Sequence, residues 1–232
     1  MQALKKPLAI LYLLATIGVL IYGFRLALFI VPEDALQGEI SRAFYYHVPN
    51  AIIALCFPYV NLAGALGYLF FRTKDTAKAA AWDALALAAA EVTVVFCSIG
   101  LVTGSLWGRV AWGIWWTWDE RLTTFLILWL LYVSYLLLRR FAQPGQTSTL
   151  SSVLSVFAAV DVPIVYFSIR WWRTQHPSPV FGGGDGSGMD PSMKPAFYWN
   201  LLGWFLWGCF VIGFRYVSAR RERLAELQEE IL

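Results

Sequence analysis

The sequence predicts an all-α integral membrane protein with six transmembrane helices. Composition is the first observation behind this. Of 232 residues, 59% are hydrophobic and 14% charged, with a mean hydropathy of +0.58. A soluble domain carries about 25% charged residues. The second observation is six long apolar runs, each near the roughly 20 residues a helix needs to cross a bilayer. The third is that the runs are continuous and do not alternate. Lipid offers the backbone no hydrogen-bond partners, so only helices or closed barrels cross it, and continuous runs mean helices. No internal repeat or separate soluble domain is visible, so residues 1–232 read as one six-helix domain.

The first span is expected near Leu8–Val31, after Lys5 and Lys6. It is too long for a signal peptide and no A-x-A site precedes Pro32, so it reads as a retained anchor. The second is expected near Val48–Phe71 and the third near Ala84–Gly104. The third contains Glu91, read as a structural group bonding to a neighbouring helix in its protonated form. The fourth, near Leu122–Leu138, is short unless Arg121 and Arg139 snorkel at its ends. The fifth, near Leu150–Ile169, holds Asp161 two residues before Pro163. That proline frees backbone groups which a nearby polar side chain helps satisfy, so Asp161 reads as a packing residue. Gly182–Gly188 reads as a flexible linker. The sixth span is expected near Ala196–Val217, followed by the tail 218–232. The tail's RRERLAELQEEIL reads as a short charged helix, solvated or against a partner.

Basic residues set the expected orientation. Eleven of the 18 Lys and Arg side chains lie at the N-terminus, in loops 2–3 and 4–5, and in the tail with Arg215 at the end of the sixth span. Six lie in the other loops, and Arg25 falls inside the first span. Both termini are therefore expected in the cytoplasm. The net charge of +3 reports this asymmetry and does not suggest nucleic-acid binding. Cys56, Cys97 and Cys209 all lie in expected spans and form no C-x-x-C, which argues against a thiol pair or a zinc knuckle. Without C-x-x-C-H the chain is not itself a c-type cytochrome, and without a P-loop motif it does not hydrolyse ATP that way.

This topology places three unusual segments on the outer side: Gln37–Pro49 (QGEISRAFYYHVP), Trp107–Thr124 (WGRVAWGIWWTWDERLTT) and Arg170–Pro179 (RWWRTQHPSP). They hold both histidines, His47 and His176, and seven of the 12 tryptophans. One histidine alone reads as a polar group at a helix end. Two beside tandem aromatics suggest ligands. Zinc would want more ligands than these loops supply. A porphyrin brings four nitrogens and needs one or two axial ligands. The tryptophans read as an interfacial belt or as a shelf for a planar apolar ligand. If 111–123 is a short interfacial helix, Trp112, Trp115, Trp116, Asp119 and Thr123 share one face, and Trp118 points off it, into the protein. Haem carries two propionates, and the planar fork of arginine matches a carboxylate. Arg42, Arg109, Arg121, Arg170 and Arg173 are the outer candidates, some of them for lipid phosphate. Asp119 orients a loop N–H, pairs with Arg121 or holds a histidine.

Trp112–Thr123 (WGIWWTWDERLT) resembles the tryptophan-rich WWD signature of haem-handling membrane proteins. The H-V-P at His47–Pro49, V-T-G-S-x-W-G at Val102–Gly108 and W-W-x-T-x-H at Trp171–His176 narrow the resemblance to the CcmC family of cytochrome c maturation. It runs from about Leu8 to Val217. The signature also occurs in CcmF and CcsA-type proteins, which carry more spans and more histidines.

The resemblance implies a protein of the bacterial inner membrane that binds haem b at the periplasmic face and hands it to the haem chaperone CcmE. It implies work beside CcmA, CcmB and CcmD. It makes His47 and His176 the axial ligands. Trp112, Trp116, Trp118 and Asp119, with Trp115 beside them, become the residues that cradle the ring and dock the chaperone. Arg42 and Arg121 become the propionate candidates. Glu120 departs from the family pattern, adding a negative charge beside Asp119. A transmembrane haem exporter is the alternative function, and a structural subunit anchored by its tryptophans is a third.

Overall fold

The computed structural model describes residues 2–141, 146–181 and 188–229. Six α-helices account for most of them: α1 Gln2–Arg25, α2 Phe44–Phe71, α3 Thr76–Trp112, α4 Glu120–Phe141, α5 Thr147–Trp171 and α6 Lys194–Glu229. A π-helical turn, Leu26–Ile30, prolongs α1, and a 3-10 turn, Glu39–Ala43, leads into α2. Among the described residues there is no strand, only an isolated bridge between Asp34 and Gly38. Six helices are long and apolar enough to cross a membrane, with mean hydropathies of 1.4 to 2.2 in their most apolar windows. The all-α, six-span expectation therefore holds.

The helices overrun the expected spans. α3 begins eight residues earlier and ends eight residues later than Ala84–Gly104. α6 continues without a break into the tail, so the charged C-terminal stretch is the end of the sixth helix and not a separate one. The linker expected at Gly182–Gly188 lies, apart from Gly188, outside the described residues.

Packing divides the chain into two compact units. The first comprises Met1–Ile53, Ile99–Thr117 and His176–Phe210. Its core joins Leu26, Ala27 and Val31 to Tyr45 of α2 and to Ala196 and Phe197 of α6. Asn200 ties α6 to α1 by donating to the Gly23 carbonyl (2.9 Å), as well as to the Ala196 carbonyl in its own helix (2.8 Å). Burying an amide among apolar side chains is tolerable only when it is bonded in this way.

The second unit comprises Ala54–Ser98, Trp118–Gln175 and Val211–Leu232. In it α3 presents small residues, with Ala84, Ala86, Ala88, Ala89 and Ala90 all buried. Small side chains let helix backbones approach closely where lipid supplies no hydrophobic drive. Polar bonds cross the helices there. Asn61 donates to the Ala86 carbonyl (2.8 Å) and Trp129 Nε1 to Ser98 Oγ (2.8 Å). Arg139 grips buried Asp83 at both oxygens (2.8 and 2.7 Å), and Arg223 reaches the same carboxylate at 3.0 Å.

Arg139 therefore does not snorkel. Its side chain is only 5% exposed, because an ion pair inside the unit competes successfully with the headgroup region. Glu91 bonds to a neighbouring helix as expected: Arg215 of α6 holds both its oxygens (2.6 and 2.8 Å). Asp161 is buried, and its Oδ2 has no hydrogen-bond partner. Pro163 sits inside α5 without ending it.

Candidate functional site

The expected helix over 111–123 does not form. α3 ends at Trp112, and Gly113 adopts φ +76°, a left-handed conformation that glycine takes without steric cost. Arg109 donates to the Gly113 carbonyl and tightens that turn. Residues 114–119 run as irregular chain, and α4 starts at Glu120. The helical face drawn through Trp112, Trp115, Trp116, Asp119 and Thr123 is thus absent. Trp112, Trp115 and Trp118 are exposed, at 45%, 57% and 76%. Trp116 is half-buried. Trp118, expected to turn inward, is the most exposed of the four. An irregular backbone frees each indole from a common helical face.

Asp119 explains why α4 starts where it does. Its Oδ1 accepts from the Leu122 N–H (2.9 Å), three residues on, which is the geometry of an N-cap. Its Oδ2 accepts from Thr174 Oγ1 (2.8 Å) and the Gln175 N–H (3.3 Å). Of the roles open to Asp119 in the sequence, orienting a loop N–H is the one the geometry shows. The loop it orients is the pair of residues that precede His176 in the chain. Arg121, at the start of α4, is half-buried and donates to the Val165 carbonyl of α5.

His47 lies in the first turn of α2, one residue before V-P, and is half-buried. Its Nδ1 is 2.9 Å from Thr103 Oγ1 on α3. The Trp107 ring meets the imidazole edge-on, with centroids 5.8 Å apart at 78°. Trp107 is itself held by its indole N–H on Gln37 Oε1 (3.0 Å). Gly104 leaves the space the imidazole occupies, since a Cβ there would lie 3.0 Å from His47 Cε1. The V-T-G-S-x-W-G motif thus packs its Thr, Gly and Trp around one histidine. The sequence displayed these residues but gave no reason to assign them that work.

His176 is half-buried and follows α5 by five residues. Its Nδ1 lies 2.9 Å from the Pro177 carbonyl oxygen.

Arg42 is committed to the polypeptide. It donates to the Ala27 and Val31 carbonyls (2.7 and 3.2 Å), which the π-helical turn leaves at the end of α1. It also pairs with Glu39 and lies 3.8 Å from Glu33. Beside it Asp34 accepts from the Gln37 and Leu36 N–H groups (both 2.8 Å), which hold its carboxyl below the ordinary aspartate value. Together these bonds fix the connection that feeds α2, and hence the approach to His47.

Among the described residues no group of three or more His, Cys, Asp or Glu could hold a metal ion.

The family model for heme exporter protein C (CcmC) matches residues 1–229. Relatives named heme exporter protein C include those of Bradyrhizobium diazoefficiens, Escherichia coli K12 and Paracoccus denitrificans. The first is 38% identical over 165 residues, 70% of this chain and 60% of that protein. The second is 33% identical over 195 residues, 83% of this chain and 76% of that protein. The third is 32% identical over 215 residues, 91% of this chain and 85% of that protein. The chain thus spans less than two thirds of the Bradyrhizobium protein and more of the other two.

Proposed function

This chain belongs to the CcmC family, heme exporter protein C, and on that premise we propose that it binds haem b at the periplasmic face of the bacterial inner membrane and hands it to the chaperone CcmE. The observation that carries the reading is the seat built for His47. An imidazole held by Thr103, cleared by Gly104 and flanked by Trp107 is organised as a ligand, beyond what a wetting group at a helix end requires.

In this reading His47 and His176 are the axial ligands and haem is cargo. Haem supplies the iron and a vinyl group for the recipient. The chain supplies ligation, orientation and a partner surface. Trp112, Trp115, Trp116 and Trp118 provide indole faces for the ring and the chaperone. Three of them are well exposed, which suits contact with a ligand or a protein more than a core role. Asp119 orders the start of α4 and the residues before His176. Arg121 binds one backbone carbonyl, and Arg42 binds two with the Glu39 and Glu33 carboxylates beside it, so of five N–H donors each guanidinium keeps at least one. We assign them the propionates on that ground. CcmA, CcmB and CcmD are the expected membrane partners.

The alternative, a channel that moves haem across the membrane, would draw on polar residues within the spans. Glu91, Asp83 and Arg139 are closed into ion pairs, which favours the platform. Reconstituted vesicles carrying the protein with its membrane partners, and CcmE at the outer face, separate the two. Haem added outside should reach CcmE. A strict requirement for haem inside the vesicle would overturn the platform reading.

A further inference from the structure

We propose that both histidines of this chain are fixed in the Nδ1–H tautomer, His47 by Thr103 and His176 by the Pro177 carbonyl, making Nε2 the coordinating nitrogen of each. Proton inventory fixes the assignment. A threonine hydroxyl has one hydrogen and two lone pairs. Thr103 Oγ1 lies 2.6 Å from the Ile99 carbonyl oxygen, one turn back in α3. Two oxygens that close need a hydrogen between them, and the carbonyl has none to give. The hydroxyl proton therefore points at Ile99, a common back-bond for threonine in a helix. What Thr103 offers His47 at 2.9 Å is a lone pair, so His47 Nδ1 must be the donor.

His176 reaches the same state by a shorter route. The Pro177 carbonyl oxygen, 2.9 Å from Nδ1, accepts only, so Nδ1 carries the hydrogen. A neutral imidazole has one N–H, and its lone pair then sits on Nε2. Two unrelated acceptors, a side chain on a neighbouring helix and the next peptide carbonyl, impose one tautomer on both residues. Metal-bound histidines commonly donate their other ring N–H to such an oxygen, which fixes the ring and raises its basicity. Thr103 is thus a positioning residue, and Gly104 beside it leaves space for the ring it positions.

The tautomer assignment stands apart from haem. The choice of Nε2 as iron ligand rests on the function proposed above, and the test separates the two. The full-length protein, labelled with 15N-histidine, is placed in lipid nanodiscs without haem, well above the ordinary histidine pKa of about 6.5. With two histidines in the chain, one His176→Gln spectrum assigns the signals. Both residues should show a protonated Nδ1 and an unprotonated Nε2. Thr103→Val should drive His47 into a tautomer mixture and leave His176 unchanged, and Thr103→Ser should restore it.

Haem titration then reads the consequence. Thr103→Val should weaken binding about 10- to 100-fold, the usual effect of losing such a partner, with recovery in Thr103→Ser. A protonated Nε2 on either histidine of the wild-type protein overturns the assignment. An unchanged His47 tautomer in Thr103→Val overturns the role of Thr103. The expected tautomers together with haem binding indifferent to His47→Gln would leave the assignment standing and defeat the proposed function.

Discussion

The carboxylate of Asp119 serves two segments at once, and its removal should be felt in both. One oxygen caps α4, and losing an aspartate cap costs about 1 kcal/mol. The other holds Thr174 and Gln175. Asp119→Ala should therefore lower thermal stability in detergent by that modest amount and also loosen haem binding. Asp119→Asn retains a capping oxygen, so it should keep most of the stability while losing one of the two loop contacts. Gly104→Ala is a sharper test of the His47 seat. Its methyl would press on Cε1 at 3.0 Å, and haem titration should show weakened binding with little change in melting temperature. The sequence made His47 and His176 legible because they are its two histidines, and both fall beside aromatics. Their supporting residues were not legible as such. Thr103 and Gly104 stand in a quoted motif, yet only the fold brings them 56 and 57 positions back to His47. Asp119 was read on the face of a helix over 111–123, whereas it caps the start of α4.

At the scale of elements, the Asp83–Arg139–Arg223 cluster ties α3, α4 and α6 together. Asp83 is 2% exposed, and its carboxylate takes bonds from two arginines. Breaking a buried pair by removing one partner costs about 3–5 kcal/mol, because the other charge stays buried and uncompensated. Arg139→Leu should thus lower the melting temperature strongly in a detergent-solubilised thermal scan. Asp83→Leu combined with Arg139→Leu should recover most of the loss. If the double variant is no better than the single one, the pair is not the source of the effect. Hydropathy could not show this cluster. It sets a helix's extent by where apolar residues stop, and α3 starts a full two turns before its apolar run. Asp83 falls one residue outside the expected third span, while Arg139 was read as a snorkelling end residue and Arg223 as an orientation charge. The helices run past the expected spans, because a helix continues into polar surroundings wherever its own packing supports it.

At the scale of the whole molecule, the described residues form six helices long and apolar enough to cross a membrane, and the family match runs through residue 229. The orientation expected from the basic residues puts both termini in the cytoplasm and the Val31–Glu39 turn outside. Leu36 in that turn is 97% exposed, so it offers a reporter position. In a background with the native cysteines replaced, Leu36→Cys should react with an impermeant thiol reagent added to intact spheroplasts. Protection there, with labelling only after lysis, would reverse the orientation and with it the periplasmic assignment. The central claim is that two histidines of one chain ligate a haem. It is tested most directly by the absorption and EPR spectra of the purified protein loaded with haem, wild type beside His47→Ala and His176→Ala. The wild type should show a low-spin bis-imidazole signature that each substitution removes. A wild-type spectrum without that signature, or one that survives the loss of either histidine, would contradict it.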